Sequence, residues 1–152
     1  MKLALPREFR TRIEAHARAA YPKECCGLLE GVRHGDAVRV LALHGARNIA
    51  ARRDRFEIHP EDHFAALKDA RAKGHVLVGC YHSHPGGAAL PSETDRAGAG
   101  EDDFLWLIAA LAQADAPVRL GAFVYRAAVF EPVTLTEADG ADLVTSSEKL
   151  VS

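Results

Sequence analysis

Two histidines separated by a single residue, His82 and His84, precede a serine and an aspartate, Ser92 and Asp95. Residues two apart in a strand point to the same side of a sheet, so the two imidazoles can face one point. Ser92 and Asp95 are three apart, which places them on one face of a helical turn. A helix after the loop could therefore return the Asp95 carboxylate to the histidines. Two histidines and one carboxylate are sufficient protein ligands for a catalytic zinc ion, which keeps its fourth position for water.

Each part of this pattern also has an ordinary explanation. A histidine pair alone can be coincidence, and Ser92 with Asp95 can be no more than a helix cap. A metal site is favoured because these parts occur together and in order. A buried strand leads into the histidine pair, a loop begins with Pro85 and two glycines, and the cap follows the loop. The remaining histidines are interpreted as surface or core residues: His16, His34, His44, His59, His63 and His75.

The surrounding pattern predicts an α/β fold with a mixed sheet and helices packed against it. Several predicted strands are joined by short turns rather than by helical crossovers, which argues against a regular doubly wound sheet. Apolar spacing and helix-start signals predict helices over residues 7–20 and from residue 60 to 74. Strands are predicted at residues 26–31, 38–43, 75–81, 104–110, 118–125 and 128–134, with a hairpin tip at 35–36 and a brief extended piece at 56–59.

The composition argues against several classes of protein. The chain has 152 residues, of which 48% are hydrophobic and 26% charged, and its net charge is −2. This balance argues against nucleic-acid binding, and no apolar run is long enough for a membrane span. The charged N-terminus does not resemble a secretory signal, and three cysteines with two adjacent fit a reducing cytoplasm. We expect one domain over residues 1–135 and a tail over 136–152 that is helical or loose.

The chemistry-bearing segment resembles a known family. HSHPGGAALPSETD matches H-[S/T]-H-x7-S-x-x-D, the signature of the JAMM (MPN+) zinc metalloproteases, and YPKECCGLLEG is similar to their P-x-E-x-C-G-L-L-x-G segment. The similarity covers about residues 1–126 and is strongest to prokaryotic members. It implies a single domain with a mostly antiparallel sheet flanked by helices, of the cytidine-deaminase-like type.

The resemblance also implies roles for the residues. His82, His84 and Asp95 would hold Zn²⁺ with water as fourth ligand. Glu24 would take a proton from the attacking water and pass it to the leaving amine, and Ser92 would donate a hydrogen bond to the developing oxyanion. The family has serine or threonine at the position of Ser83, which would support the site rather than react.

Two other residues compete for places in the site. Glu30 is a second candidate glutamate, but its offset of six residues from Glu24 breaks the match with the family. Cys80 would point to the same side as His82, so a site with a cysteine ligand is conceivable. The family does not use that position, and we interpret Cys80 as a buried apolar side chain. Cys25 and Cys26 are interpreted as structural.

The implied reaction is hydrolysis of amide or isopeptide bonds after the C-terminal Gly-Gly of a ubiquitin-like protein. The short chain resembles members associated with sulfur-carrier proteins, from which cysteine or another adduct is released. The alternative is a non-catalytic MPN-type interaction domain, although such domains have lost ligands that are present here. A zinc deaminase would need H-x-E followed by P-C-x-x-C, and the sequence has no P-C-x-x-C. A structural zinc site would use four protein ligands.

Overall fold

The computed structural model describes residues 1–137, and within them one sheet of eight strands runs through the molecule. The order across the sheet is β7-β6-β5-β4-β2-β3-β1-β8. Strand β4 pairs in parallel with β5, and β1 pairs in parallel with β3 and β8, while the other neighbours are antiparallel. The strands are β1 Lys2–Ala4, β2 Cys26–His34, β3 Ala37–Ala46, β4 Val76–Pro85, β5 Phe104–Leu111, β6 Arg119–Arg126, β7 Val129–Pro132 and β8 Thr134–Thr136.

Three helices accompany the sheet in this part of the chain: α1 Arg7–Ala20, α2 Pro60–Ala72 and α3 Glu93–Gly98. Helix α1 has the predicted bounds and buries Phe9, Ile13 and Ala17 at the spacing of one helix face. Helix α2 begins with Pro60, whose fixed φ suits the first helical position, and Gly74 follows its end with φ of 72°. None of these helices has the length and hydropathy of a membrane-spanning helix.

Side chains from the two faces of the sheet enter separate apolar clusters. Leu29 and Tyr81 pack in the cluster that contains residues of α1, whereas Leu28 and Cys80 pack in the cluster that contains Ala66 of α2. Because neighbouring residues of a strand point to opposite faces, α1 and α2 cover opposite sides of the sheet. The mixed α/β fold with a mostly antiparallel sheet and flanking helices is therefore confirmed.

The structure differs from the expected elements in four places. Strand β4 extends beyond the predicted 75–81 to Pro85, which agrees with the expected position of His82 and His84 at the end of a strand. Strand β1 was not predicted, and residues 56–59 contribute only an isolated bridge between Asn48 and Ile58. The predicted strand 128–134 is two strands, because the chain pairs with β6 up to Pro132 and with β1 from Thr134.

The two short strands at the end of the described chain lie on opposite edges of the sheet. Strand β7 pairs with β6 and β8 pairs with β1, yet only Val133 separates them. One residue spans less than about 4 Å, so the sheet must curl until its edges meet. The Val133 N–H donates to the Ala122 carbonyl at 2.9 Å, which fixes this closure. The expected boundary between residues 135 and 136 falls inside β8, and residues 138–152 of the expected tail lie outside the described residues.

Candidate metal centre

The ends of two adjacent strands bring Glu24 to the histidine pair. Cys26, the first residue of β2, lies opposite His82 of β4, so Glu24 enters from the chain just before β2. One ligand atom each of Glu24, His82 and His84 lies within 4.8 Å of the others. The Nε2 atoms of the two histidines are 2.9 Å apart, and His82 is fully buried.

Asp95 reaches the same point from the connection between β4 and β5. These strands are parallel, so a long crossover must join them, and this crossover contains α3. One carboxylate oxygen of Asp95 lies 3.0 Å from Nε2 of His82, and the other lies 3.0 Å from Nε2 of His84. Burial alone would raise the pKa of Asp95, but its hydrogen bonds with the two histidines hold that pKa well below its usual range.

The cap of helix α3 fixes both Ser92 and Asp95. The Asp95 N–H donates to the Ser92 hydroxyl oxygen at 3.0 Å, and the Ser92 N–H donates to the Asp95 carboxylate at 2.9 Å. This reciprocal pair is a capping box. Since the Ser92 oxygen accepts this bond, its hydroxyl proton remains free to donate to another group.

The orientation of His84 shows that this group fits a cation. The Nδ1 atom of His84 lies 2.9 Å from the Ala88 carbonyl, which can only accept, so Nδ1 carries the proton of the neutral ring. Its Nε2 lone pair then faces the carboxylate of Asp95 at 3.0 Å. Two acceptors in contact need a positive charge between them, either a proton or a metal ion. A histidine that binds a metal through one ring nitrogen usually donates the N–H of the other to a carbonyl or carboxylate, as His84 does to Ala88.

Aromatic side chains hold the ring of His82. Phe56 stacks on it with centroids 4.4 Å apart, and Trp106 meets it edge-on at 5.7 Å. Burial lowers the pKa of His82, whereas for His84 the hydrogen bonds to Asp95 and Ala88 outweigh burial and raise the pKa. A neutral His82 is the form that can donate a lone pair to a metal.

Glu24 is a buried carboxyl with one unsatisfied oxygen. Its side chain is 6% exposed, and Oε1 has no hydrogen-bond partner within the described residues. Burial raises the pKa of Glu24 to about 7, with the charge of His84 opposing and that of Asp95 adding to the effect. A carboxyl with a pKa near neutrality can both accept and return a proton at physiological pH.

Ser83 and Asn48 position the backbone around Glu24. The hydroxyl oxygen of the fully buried Ser83 accepts the Cys25 N–H at 2.8 Å, and the Ser83 N–H donates to the Cys25 carbonyl at 3.1 Å. The Asn48 side-chain amide donates to the Glu24 carbonyl at 3.0 Å. Ser83 therefore has the supporting place expected of it, between the two strands that carry the site.

The structure thus brings together all five residues selected from the sequence, without assigning their roles. The predicted ligand set was His82, His84 and Asp95, with Glu24 as base, whereas one group of potential ligand atoms combines Glu24 with His82 and His84. Both arrangements use the same four side chains, and the roles stay a prediction. Their convergence is a finding of the structure.

The fully buried Glu30 lies in a separate cluster with partly exposed partners. Its carboxylate contacts Lys73 Nζ at 2.8 Å, His75 Nδ1 at 2.7 Å and His44 Nε2 at 2.9 Å. Burial acts to raise the pKa of Glu30, but these partners together lower it to about 2. Glu30 is therefore engaged in a structural ion cluster, as are two of the histidines that were interpreted as ordinary.

The cysteines have no place in the group of potential ligands. All three are buried free thiols, and burial raises the pKa of Cys80 well above its usual value. Cys80 packs against Leu28 and Trp106, in agreement with its interpretation as an apolar side chain.

Three further contributors to the centre were missed: Phe56, Asn48 and the carbonyl of Ala88. Phe56 belongs to a segment predicted only as extended, where an aromatic residue gave no sign of its contact with His82. A backbone carbonyl leaves no mark in the sequence, so the partner of His84 could not have been found there.

Curated relatives share much of this chain. A protein of Haloferax volcanii named Desampylase is 38% identical over 112 residues, which cover 70% of this chain and 79% of that protein. The tail tip assembly protein K of Escherichia phage N15 is 38% identical over 86 residues, or 56% of this chain and 31% of the phage protein. A Desampylase of Pyrococcus furiosus is 34% identical over 56% of this chain and 58% of its own length.

Solved structures share the fold. A protein of Desulfitobacterium hafniense superposes with a TM-score of 0.77 at 32% identity, covering 90% of this chain and 94% of that one. A JAB1/MPN domain protein of Archaeoglobus fulgidus superposes with a TM-score of 0.53 at 19% identity, over 90% of this chain and 100% of that one. The second likeness concerns the fold alone.

The family model that matches describes prokaryotic homologs of the JAB domain, and the match runs over residues 6–121. That range includes the glutamate before β2, the histidine motif and the cap of α3. The chain therefore belongs to the prokaryotic JAB family, the prokaryotic branch of the JAMM/MPN proteins.

Proposed function

We propose that the chain is a zinc-dependent hydrolase that cleaves the amide or isopeptide bond after the C-terminal Gly-Gly of a ubiquitin-like protein, in particular a sulfur carrier bearing an adduct. One observation carries this proposal: the buried, unpartnered carboxyl oxygen of Glu24 lies in one group with two histidines. The relatives named Desampylase support a reaction on a protein conjugate.

Zinc is the metal we propose because two imidazoles and a carboxylate, with one position left for water, form its usual catalytic donor set. His82, His84 and Asp95 would hold it. When bound, zinc supplies Lewis-acid chemistry, lowering the pKa of water and polarising the substrate carbonyl.

The residues of the chain would then divide the hydrolysis between them. Glu24 takes a proton from water as the water oxygen adds to the amide carbon. It returns this proton to the amide nitrogen as the carbon–nitrogen bond breaks, so one water is consumed and a carboxylate and an amine are released. The free hydroxyl proton of Ser92 donates to the carbonyl oxygen while negative charge develops there.

The test compares three variants with a carrier protein that ends in Gly-Gly plus an amide-linked adduct. Glu24→Gln should bind about one zinc per chain and lose hydrolysis, because the base is removed and the ligands remain. His82→Ala should lose both zinc and hydrolysis. Glu131→Gln, which makes the same change at an exposed position of β7, is the control and should retain both.

Two results would contradict the proposal. Hydrolysis by Glu24→Gln at the wild-type rate would remove the assigned base, and unchanged zinc content in His82→Ala would remove the metal site. If the wild type binds the carrier but hydrolyses nothing when loaded with zinc, the chain is an interaction domain instead.

A further inference from the structure

The loop between β4 and α3, residues 86–91, supplies the hydrogen-bond partner of His84. The Nδ1–H of His84 donates to the Ala88 carbonyl at 2.9 Å. Within residues 1–137 this is the only hydrogen bond to residues 88–91. The loop begins where the Gly86 N–H donates to the Leu111 carbonyl at 2.8 Å, and it ends at the cap of α3. Hydrogen bonds therefore fix the two ends of the loop, and packing contacts have to hold its middle.

Gly121 of β6 lies directly beneath the middle of this loop. A Cβ atom built on Gly121 would lie 2.3 Å from the carbonyl oxygen of Ala89 and 3.3 Å from the carbonyl carbon of that residue. The first distance is far shorter than van der Waals contact, so the loop backbone occupies the space that a side chain would need. A glycine inside a strand often marks such a close approach of another backbone segment.

The register of the sheet relates Gly121 to the metal centre. Gly121 lies opposite Ile108 of β5, and Ile108 lies opposite His82 of β4. Residues opposite each other in neighbouring strands point to the same face, so a side chain at position 121 would share the face to which His82 points. The loop therefore leaves β4, reaches Ala89 over β6 on this face, and returns to the centre with Asp95.

A displacement of Ala89 would act on the centre through the residue before it. The Ala88 carbonyl belongs to the peptide unit that joins Ala88 to Ala89, so it moves when Ala89 is pushed away from the sheet. The loop also borders a cavity of about 630 Å³, which gives it room to shift while the sheet stays intact. Ligands of a functional site have to be held within about 0.5 Å of their working geometry. Loss of the bond to Ala88 would leave the ring of His84 without this restraint.

We propose that Gly121 is a positioning residue of the metal centre. Because Gly121 has no side chain, Ala89 packs against the backbone of β6, and this contact holds the Ala88 carbonyl against Nδ1 of His84. Gly121 contacts neither the metal nor the substrate and acts through the loop. The inference rests on the proposed function in one respect, which is that His84 binds the metal.

The test measures zinc affinity by competition with a chelator, for the wild type and Gly121→Ala. The variant should bind zinc about 10- to 100-fold more weakly, the loss that is usual when the partner of a metal ligand is removed. Gly45→Ala is the matched control, because it also adds a methyl group to a glycine within a strand. The nearest atom to that methyl group would be the Tyr81 hydroxyl oxygen at 3.6 Å, an ordinary van der Waals contact, so zinc affinity should not change.

Nuclear magnetic resonance of the metal-free protein gives a readout that needs no zinc. In the wild type, the Nδ1–H proton of His84 should be protected from exchange with water by its hydrogen bond to Ala88. The signal is assigned by its absence from His84→Gln. Gly121→Ala should lose this protected signal, whereas Gly45→Ala should keep it.

Two results in a folded Gly121→Ala would overturn the proposal and leave the hydrolase standing: zinc binding as tight as in the wild type, or a retained His84 signal. If urea unfolding shows that this variant does not fold, Gly87→Ala takes its place. The Cβ of Gly87→Ala would lie 3.3 Å from the Cβ of His84, so it pushes the same loop away from that ring. Unchanged zinc affinity in Gly87→Ala would then overturn the proposal. If the wild type binds no zinc but Gly121→Ala loses the His84 signal, the positioning role stands and the proposed metal centre falls.

Discussion

Replacement of Glu30 by glutamine should show how much stability the buried ion cluster contributes. The partners of Glu30 lower its pKa from 4.5 to about 2. A group whose folded pKa is depressed stabilises the folded state above its unfolded pKa and loses that stabilisation as the pH falls toward the folded value. The difference corresponds to about 3 kcal/mol of unfolding free energy at pH 7, falling to about 1 kcal/mol at pH 3.

The measurement is urea-induced unfolding of the wild type and Glu30→Gln between pH 7 and pH 3. The two unfolding free energies should differ most at pH 7 and converge as the pH falls. Glu131→Gln, at an exposed position of β7, is the control and should change stability little at any pH. A difference between Glu30→Gln and the wild type that stays constant across this range would refute the reasoning, because it would not follow the titration of Glu30.

Three further outcomes are expected. Ser92→Ala should slow hydrolysis by about 10²- to 10³-fold and lower the unfolding free energy by about 1 kcal/mol through the lost cap. Ser92→Gly should show the same loss of rate but lower the unfolding free energy by only about a few tenths of a kcal/mol. Hydrolysis by either variant at the wild-type rate would exclude the oxyanion role. Ser83→Ala should lower the unfolding free energy by about 1–3 kcal/mol, since it leaves the Cys25 N–H without its acceptor, and unchanged urea unfolding would count against that contact. Chelation should lower the melting temperature in calorimetry, and zinc at 1,000 times its Kd should restore about 4 kcal/mol, an effect that must vanish in His82→Ala.

Local patterns were enough to predict the parts of the site that depend on spacing along the chain. The spacing of His82 and His84 places both side chains on the same side of one strand. The spacing of Ser92 and Asp95 places both side chains on one turn of a helix. Both spacings are short, so the local geometry determines them. Helix α1 was predicted with its observed bounds for the same reason, since its buried face repeats every three or four residues.

The parts that depend on distant pairing could not be predicted in this way. Strand β1 has three residues and exists because β3 and β8 flank it. The division of residues 128–134 into two strands depends on closure of the whole sheet around Val133. The stacking of Phe56 on His82 likewise joins two segments that are distant in sequence, and no local spacing pattern predicts such a contact.

The carboxylate of Asp95 is shared between the cap of helix α3 and the histidine pair, and this has a thermodynamic consequence. A ligand that holds Asp95 in place must also stabilise the first turn of α3, and by linkage an ordered α3 must bind that ligand more tightly by the same factor. Helix α3 has only six residues, so its order depends strongly on this cap. Hydrogen exchange of the Asp95 and Ala99 amides, which donate to the Ser92 hydroxyl and to the Asp95 carbonyl, would measure the order of this turn with and without the ligand. If Asp95 binds the metal as proposed, protection of these two amides should therefore increase when the centre is occupied.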